Sequence, residues 1–367
     1  MANGQEALEV QAIVDAIQSE GLSWEAGATP LTELSAEERR SHLGLHVTEE
    51  ELQQMAAATQ MRAEAERQSL GAVGAPAAFD WRNVNGSNYV TSVKNQGGCG
   101  SCVSFCTCAV MESAVRIKLQ NPGNAIDLSE AFLFNCGGGS CQNGWGLTSG
   151  LDFAKSTGVT DEACMPYQAV QMNCNSRCSD WQNRLTKVAS YAGHSSMEAR
   201  KNAIATIGPV LAGMAVYNDF FAYRSGVYVK TNNTLAGYHC ICVVGYDDAQ
   251  QCWIIKNSWG TGWGDGGFGR IRYGQADLLI DSSWQFYSAA VEIKPGWHGN
   301  LAVSQTYASR DSQNAWAHFQ GMGWRRISTG SPDGVTNMLA LFAKAVASNK
   351  KVTVYTDADF VYQGYLL

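Results

Sequence analysis

The chain has 367 residues, 45% hydrophobic and 16% charged, which supports one or more ordinary cores and excludes a disordered or fibrous protein. Lys plus Arg number 26 against 33 Asp plus Glu, a net charge of -7 and the wrong sign for a duplex nucleic-acid partner. No apolar run reaches the roughly 20 residues of a membrane-spanning helix.

Residues 1–77 hold 13 Asp plus Glu, 4 Arg and no Lys, so an acidic leader precedes a nearly neutral body. Residues 7–20 place Leu8, Ile13, Val14 and Ile17 near helical spacing, with Gly21 as a stop. Ser35 followed by Glu38 has the form of a capping box and predicts a second, short helix. A third is predicted over residues 48–69, rich in Glu, Gln, Ala and Met, and residues 71–76 form a Gly-rich, Pro-ended linker. From residue 78 to 294 the pattern changes to Gly, aromatic and Cys residues with short strand-like runs. A helix is predicted over 102–119, ended by Asn121-Pro122-Gly123, and buried strands over 240–246 and 252–256. Pro295-Gly296 marks a second boundary. Strands over 301–307 and within 315–327, a helix over 335–347 and two strands within 352–366 predict a small α+β module, 296–367. Its aromatics include Trp297, Trp316, Trp324, Tyr355, Tyr362 and Tyr365.

Twelve cysteines lean toward an oxidising or secreted setting, although the opening MANGQEALEVQAIVDAI has no secretory pattern. One of them is delivered by a glycine-rich turn, Asn95-Gln-Gly-Gly-Cys-Gly-Ser-Cys102, to the first turn of the long helix, where the dipole favours a thiolate. The Cys99/Cys102 spacing alone also allows a redox dithiol or half a zinc site. His239 enters a buried strand 137 residues after Cys102, a place where a lone histidine is more often structural. Asn257 follows a strand and precedes Trp259, where its amide can orient an imidazole.

Gln96 through Cys102, His239 in its strand and Lys256-Asn-Ser-Trp-Gly260 together resemble the papain-like, cathepsin-type cysteine proteases. The similarity continues through Phe79-Asp-Trp-Arg82, Leu128-Ser-Glu130, Met165-Pro-Tyr167 and Gly208-Pro-Val210, over about residues 76–294. The resemblance implies a two-lobed α+β protease, helical lobe beside barrel-like lobe, with a helical prosegment. It implies Cys102 as nucleophile, His239 as base and acid, Asn257 as orienter and Gln96 as oxyanion donor, with no metal and no cofactor. Trp259 matches the indole that shields the Asn-His bond. Gly144 is expected to offer backbone hydrogen bonds to an extended peptide, and Trp145, Gly213 and Cys240 to line an apolar pocket. Val103 departs from the family's usual aromatic after the nucleophile, and Cys106, one turn on, reads as a small buried residue.

The implied disulfides are Cys99 to Cys141 and Cys136 to Cys174, with Cys178 a competitor for the last position; Cys164, Cys240, Cys242 and Cys252 stay unassigned. The implied partners are polypeptide substrates and the chain's own prosegment, residues 1–77, as intramolecular inhibitor. Neither nucleic acid nor a membrane is implied, and a glycan or protein is a candidate ligand of residues 296–367. The segments Leu22-Ser-Trp-Glu-Ala-Gly27, Leu34-Ser-Ala-Glu-Glu38 and Leu43-Gly-Leu45 resemble the shorter leaders of some prokaryotic relatives. If the leader's carboxylates pair with the body, acid is expected to loosen it. The alternatives are an acyl transferase or transpeptidase on the same residues and a non-catalytic binding protein of this fold.

Overall fold

The computed structural model describes residues 3–69, 74–276, 285–293, 296–309, 314–320, 322–328, 332–357 and 359–367. Residues 71–73 of the predicted linker fall outside the described residues, as does the side chain of Trp297. The chain divides into two compact units. The first comprises residues 1–114 and 126–291, and the second residues 115–125 and 292–367.

In the first unit, the leader forms α1 (Asn3–Ser19), β1 (Glu25–Ala26), α2 (Ala36–Ser41) and α3 (Glu49–Ser69). The capping box at α2 is formed in both directions: the Glu38 N–H donates to Ser35 Oγ at 3.2 Å, and the Ser35 N–H to Glu38 Oε2 at 2.8 Å. Thr48 and Glu51 repeat the arrangement at the start of α3. These two carboxylates and Glu64, held by Gln68 and Arg67, are therefore used inside the leader. Among the described residues, leader carboxylates that reach the body include Glu25, accepting from Ser225 Oγ, and Glu66, accepting from the backbone N–H groups of Ser195 and Ser196. Two of the 13 acidic residues of this segment, Glu38 and Glu51, thus stabilise its own helix starts, and Glu25 and Glu66 pair with the body as the expected acid response requires.

After β2 (Ala78–Asp80) comes α4, Cys102–Lys118, an uninterrupted helix whose described residues up to Val115 are all buried. Helices α5 (Glu130–Gly137) and α6 (Ser149–Ser156) follow in the helical part. The rest of the unit is β3 (Val188–His194), α7 (Met197–Thr206), β4 (Val210–Tyr217), β5 (Tyr223–Ser225) and β6 (Val227–Tyr228). It continues with β7 (Leu235–Asp247), β8 (Cys252–Lys256), β9 (Phe268–Arg272) and β10 (Phe286–Val291). The main sheet runs β3-β10-β4-β7-β8-β9-β6, with β2 added to β7. Strands β4 and β8 are buried on both faces, so they read as continuous apolar runs rather than as alternating ones.

Three disulfides staple this unit: Cys99 to Cys141, Cys136 to Cys174, and Cys164 to Cys178. Cys178 therefore does not compete for Cys136. The chain between 164 and 178 folds back through the Cys178 N–H to Cys164 carbonyl bond at 2.9 Å, which brings that pair together. Cys102, Cys106, Cys108, Cys240, Cys242 and Cys252 are free thiols, all buried.

In the second unit, β11 (Gly296–Ala308), β12 (Ala315–Phe319), β13 (Gly323–Ile327), α8 (Pro332–Ser348), β14 (Lys351–Thr356) and β15 (Phe360–Leu366) close a barrel in the order β11-β12-β13-β15-β14. Strand β12 alternates buried and half-buried residues, Ala315, Ala317 and Phe319 pointing inward, so the single-residue period builds the barrel core directly. Phe342 on α8 packs edge-on to Phe319 at 5.2 Å.

Candidate active site

Cys102 begins α4, and the turn before it is pinned by the Cys99–Cys141 bond and by the Gly100 N–H donating to the Cys141 carbonyl at 3.0 Å. The Cys240 N–H donates to Cys102 Sγ at 3.4 Å, so the sulfur lies beside the residue that follows His239 on β7. His239 Nε2 bonds Asn257 Oδ1 at 2.8 Å, and Asn257 Oδ1 also accepts from the Ser258 N–H at 2.8 Å. Because the amide oxygen can only accept, Nε2 carries the proton and Nδ1 is the basic nitrogen; Nδ1 is buried and has no hydrogen-bond partner. The Trp259 ring lies 4.7 Å from the imidazole centroid at an interplanar angle of 31° and covers the Asn-His bond.

Gln96 is fully buried and fixed from three sides. Ser258 Oγ donates to its Oε1 at 2.6 Å, its backbone N–H donates to the Ser258 carbonyl, and the Tyr167 hydroxyl donates to its carbonyl at 2.8 Å. The side-chain oxygen is thereby occupied, and Nε2 is presented outward as a donor. Sequence reasoning missed Ser258, although its place between Asn257 and Trp259 was in view.

The leader crosses this constellation. Gln96 Nε2 donates to the His42 carbonyl at 3.1 Å, as does Trp259 Nε1 at 3.3 Å. The Leu45 N–H donates to the Tyr238 carbonyl at 3.2 Å, the Trp145 N–H to the Gly44 carbonyl at 2.8 Å, and the His46 N–H to the Trp145 carbonyl at 3.0 Å. Leu45 and Trp145 form a parallel bridge. Gly44 is wedged between Gly100 and Gly144, and a Cβ on Gly44 or on Gly144 would strike the backbone of its neighbour. Gly144 was expected to offer its own backbone bonds to an extended segment. Its N–H and carbonyl are instead both spent on Ser140 in a tight turn, so Trp145 supplies the pairing and Gly144 supplies clearance. Gly213 and Cys240 stand opposite each other in the β4–β7 register, and buried Leu45 is held by its backbone to Trp145 and Tyr238.

Burial, to which this segment adds, sets the charge state. It pushes the Cys102 thiol up to about 11, even though the N–H groups of Cys240, Gly44, Val103 and Cys102 itself favour the anion. It pushes the His239 imidazole down to about 4 against the partly compensating Asn257 bond. The dipole-lowered thiolate expected from the helix start is thus absent while the leader is in place, because desolvation outweighs the dipole. Behind the site, Lys94 bridges buried Glu130 at 2.8 Å and exposed Asp127 at 2.6 Å, a paired internal charge cluster. Among the described residues no group of His, Cys, Asp and Glu is arranged to hold a metal ion.

The family model described as papain family cysteine protease matches residues 75–287. Cathepsin B-like CP3 of Giardia intestinalis is 35% identical over 224 residues, covering 57% of this chain and 73% of that protein. Cathepsin S of Bos taurus is 34% identical over 206 residues, covering 53% and 60%. Among solved structures, digestive procathepsin L 3 of Tenebrio molitor larval midgut aligns with a TM-score of 0.62 at 22% identity, covering 78% of this chain and 89% of that one. Procathepsin B S9 of Trypanosoma congolense aligns at 0.60 and 20%, covering 77% and 98%.

Proposed function

The chain belongs to the papain family of cysteine proteases, and from that membership we propose that it is an endopeptidase zymogen working through Cys102, His239, Asn257 and Gln96. Residues 1–77 are the inhibitory leader, 78–294 the peptidase and 296–367 an accessory module. His239 Nδ1, left free for base chemistry by the Asn257 bond, takes the Cys102 proton. The thiolate attacks the scissile carbonyl, and the oxyanion is held by Gln96 Nε2 and the Cys102 N–H. The imidazolium then protonates the leaving amine, and water hydrolyses the thioester. No metal or organic cofactor enters this sequence of steps.

The observation that carries this reading is the His42 carbonyl on Gln96 Nε2. The leader occupies the donor on which the developing oxyanion depends, and its Gly44 is wedged between Gly100 and Gly144 beside the nucleophile's turn. Leu45, buried and paired by its backbone with Trp145 and Tyr238, supports the reading of Trp145, Gly213 and Cys240 as an apolar pocket. The full chain and its Cys102→Ala variant, incubated side by side and followed by mass spectrometry, test the proposal. Self-cleavage between the leader and residue 78 in the parent only is expected, and equal processing of both chains would reject it. Adding an amine acceptor to the processed enzyme separates hydrolysis from acyl transfer by product mass.

A further inference from the structure

The barrel of residues 296–366 holds no part of the peptidase chemistry, yet it concentrates the chain's exposed aromatic surface. Among the described residues, the exposed aromatic side chains are Tyr307, Trp324 and Tyr365, and all three lie in this barrel. The register sets two of them into cross-strand rows. Tyr307 on β11 stands opposite Trp316 on β12, Trp316 opposite Arg326 on β13, and Arg326 opposite Phe360 on β15. In the next row Gln305 faces His318, and His318 faces Trp324 with ring centroids 5.4 Å apart. Neighbouring strands are spaced by about 4.8 Å, so the first row runs roughly 14 Å across the barrel.

The topology is also that of a ligand binder. Five strands closed in the order first, second, third, fifth, fourth, with a helix between third and fourth and a parallel third–fifth pair, make an OB-type barrel. Such barrels bind oligonucleotides or oligosaccharides on the face of strands two and three. Charge decides between the two. The rows carry one outward permanent cation, Arg326, whose N–H donates to the Asp359 carbonyl at 2.9 Å, while Asp359 and Asp357 interact with the buried Arg325, and Asp357 also with Lys118 and the N–H groups of Asp359 and Phe360. A chain bearing one phosphate per unit would find a single outward guanidinium and no basic track along these rows, since Lys118 and the buried Arg325 are matched by Asp357 and Asp359. A hydroxyl-rich chain with apolar ring faces would find flat aromatic surfaces, the Arg326 donors and carboxylate acceptors together.

We propose that the outer face of β11, β12, β13 and β15, with Tyr307, Trp316, Trp324, Arg326 and Phe360 as contact residues, binds a neutral oligosaccharide. This goes beyond the peptidase reading and does not rest on it. The test uses the full chain carrying Cys102→Ala, so that no self-cleavage intervenes, titrated calorimetrically with cellohexaose, chitohexaose, mannohexaose and oligothymidylate. Binding of at least one saccharide is expected, weakened about tenfold or more by Trp324→Ala and by Trp316→Ala and largely kept by Trp324→Phe. Trp324 is 40% exposed, so its loss leaves the barrel core intact. The same tryptophan substitutions in the Cys102 chain are expected to leave peptide cleavage unchanged. No saccharide binding at millimolar concentration would overturn the proposal, as would salt-sensitive binding of oligothymidylate alone, or saccharide binding that survives both alanine variants.

Discussion

Gln96 illustrates how one side chain is committed by its neighbours. With Ser258 donating to its oxygen at 2.6 Å, the amide has a single orientation, and its nitrogen must face the cleft. In the processed enzyme, Gln96→Ala is expected to lower kcat by about 10²- to 10³-fold with a smaller effect on KM, measured with a fluorogenic peptide. Ser258→Ala should lower kcat less, since the donor stays but is less firmly aimed; an unchanged kcat would argue against this positioning role. Gly44 is the second case. Its Cβ position is filled by the Gly100 backbone, so Gly44→Ala should displace the leader at that point and speed self-processing of the full chain, as read on a gel time course. Cys102, His239 and Asn257 were legible in the sequence because each sits in a motif with its own spacing. Ser258 was not, because a serine's role as the partner of a residue 162 positions away has no local signature.

Helix starts and staples govern the elements. The capping boxes at Ser35 and Thr48 were readable from three-residue spacing, since a cap is a local bond. Glu66 was not readable as a contact, because its acceptors are the N–H groups of Ser195 and Ser196, the latter the N-cap of α7, which only the packed fold brings to it. Glu66→Gln keeps the shape and removes the charge at that helix start, so faster leader release is expected, measured as the rate of processing at neutral pH. The Cys99–Cys141 bond closes a separation of 42 residues and fixes both the turn before Cys102 and the strip that pairs with the leader. Replacing both cysteines by alanine should cost about 2 to 4 kcal/mol, read as a lowered Tm or denaturant midpoint.

For the molecule as a whole, burial with residues 42–46 in the cleft holds the proposed catalytic pair, Cys102 and His239, uncharged, and this sets its pH response. His239 titrates near 4 in the closed form against an ordinary 6.5. It is therefore neutral there and gains its proton more readily once solvated, so the leader-bound state is fully stabilised by this group above pH 6.5. That contribution is lost as pH falls from 6.5 toward 4. Buried His42, also held below its usual range, adds in the same direction. Cys102 acts oppositely, its contribution fading only as pH rises from 9 toward 11. Self-processing should therefore accelerate below pH 6.5 through the two imidazoles rather than mainly through the acidic leader; a rate flat from neutral to pH 5 would contradict this. The sequence by itself determined several helices and strands, the family and the residues proposed to react, since periodicity, caps and motif spacings are short-range properties of the chain. Only the tertiary structure decided the protonation of the thiol, the passage of residues 42–46 through the cleft, the Cys164–Cys178 pair and the closure of the last strands into a barrel. Desolvation and long-range register depend on what packs against a residue, and no local pattern records that.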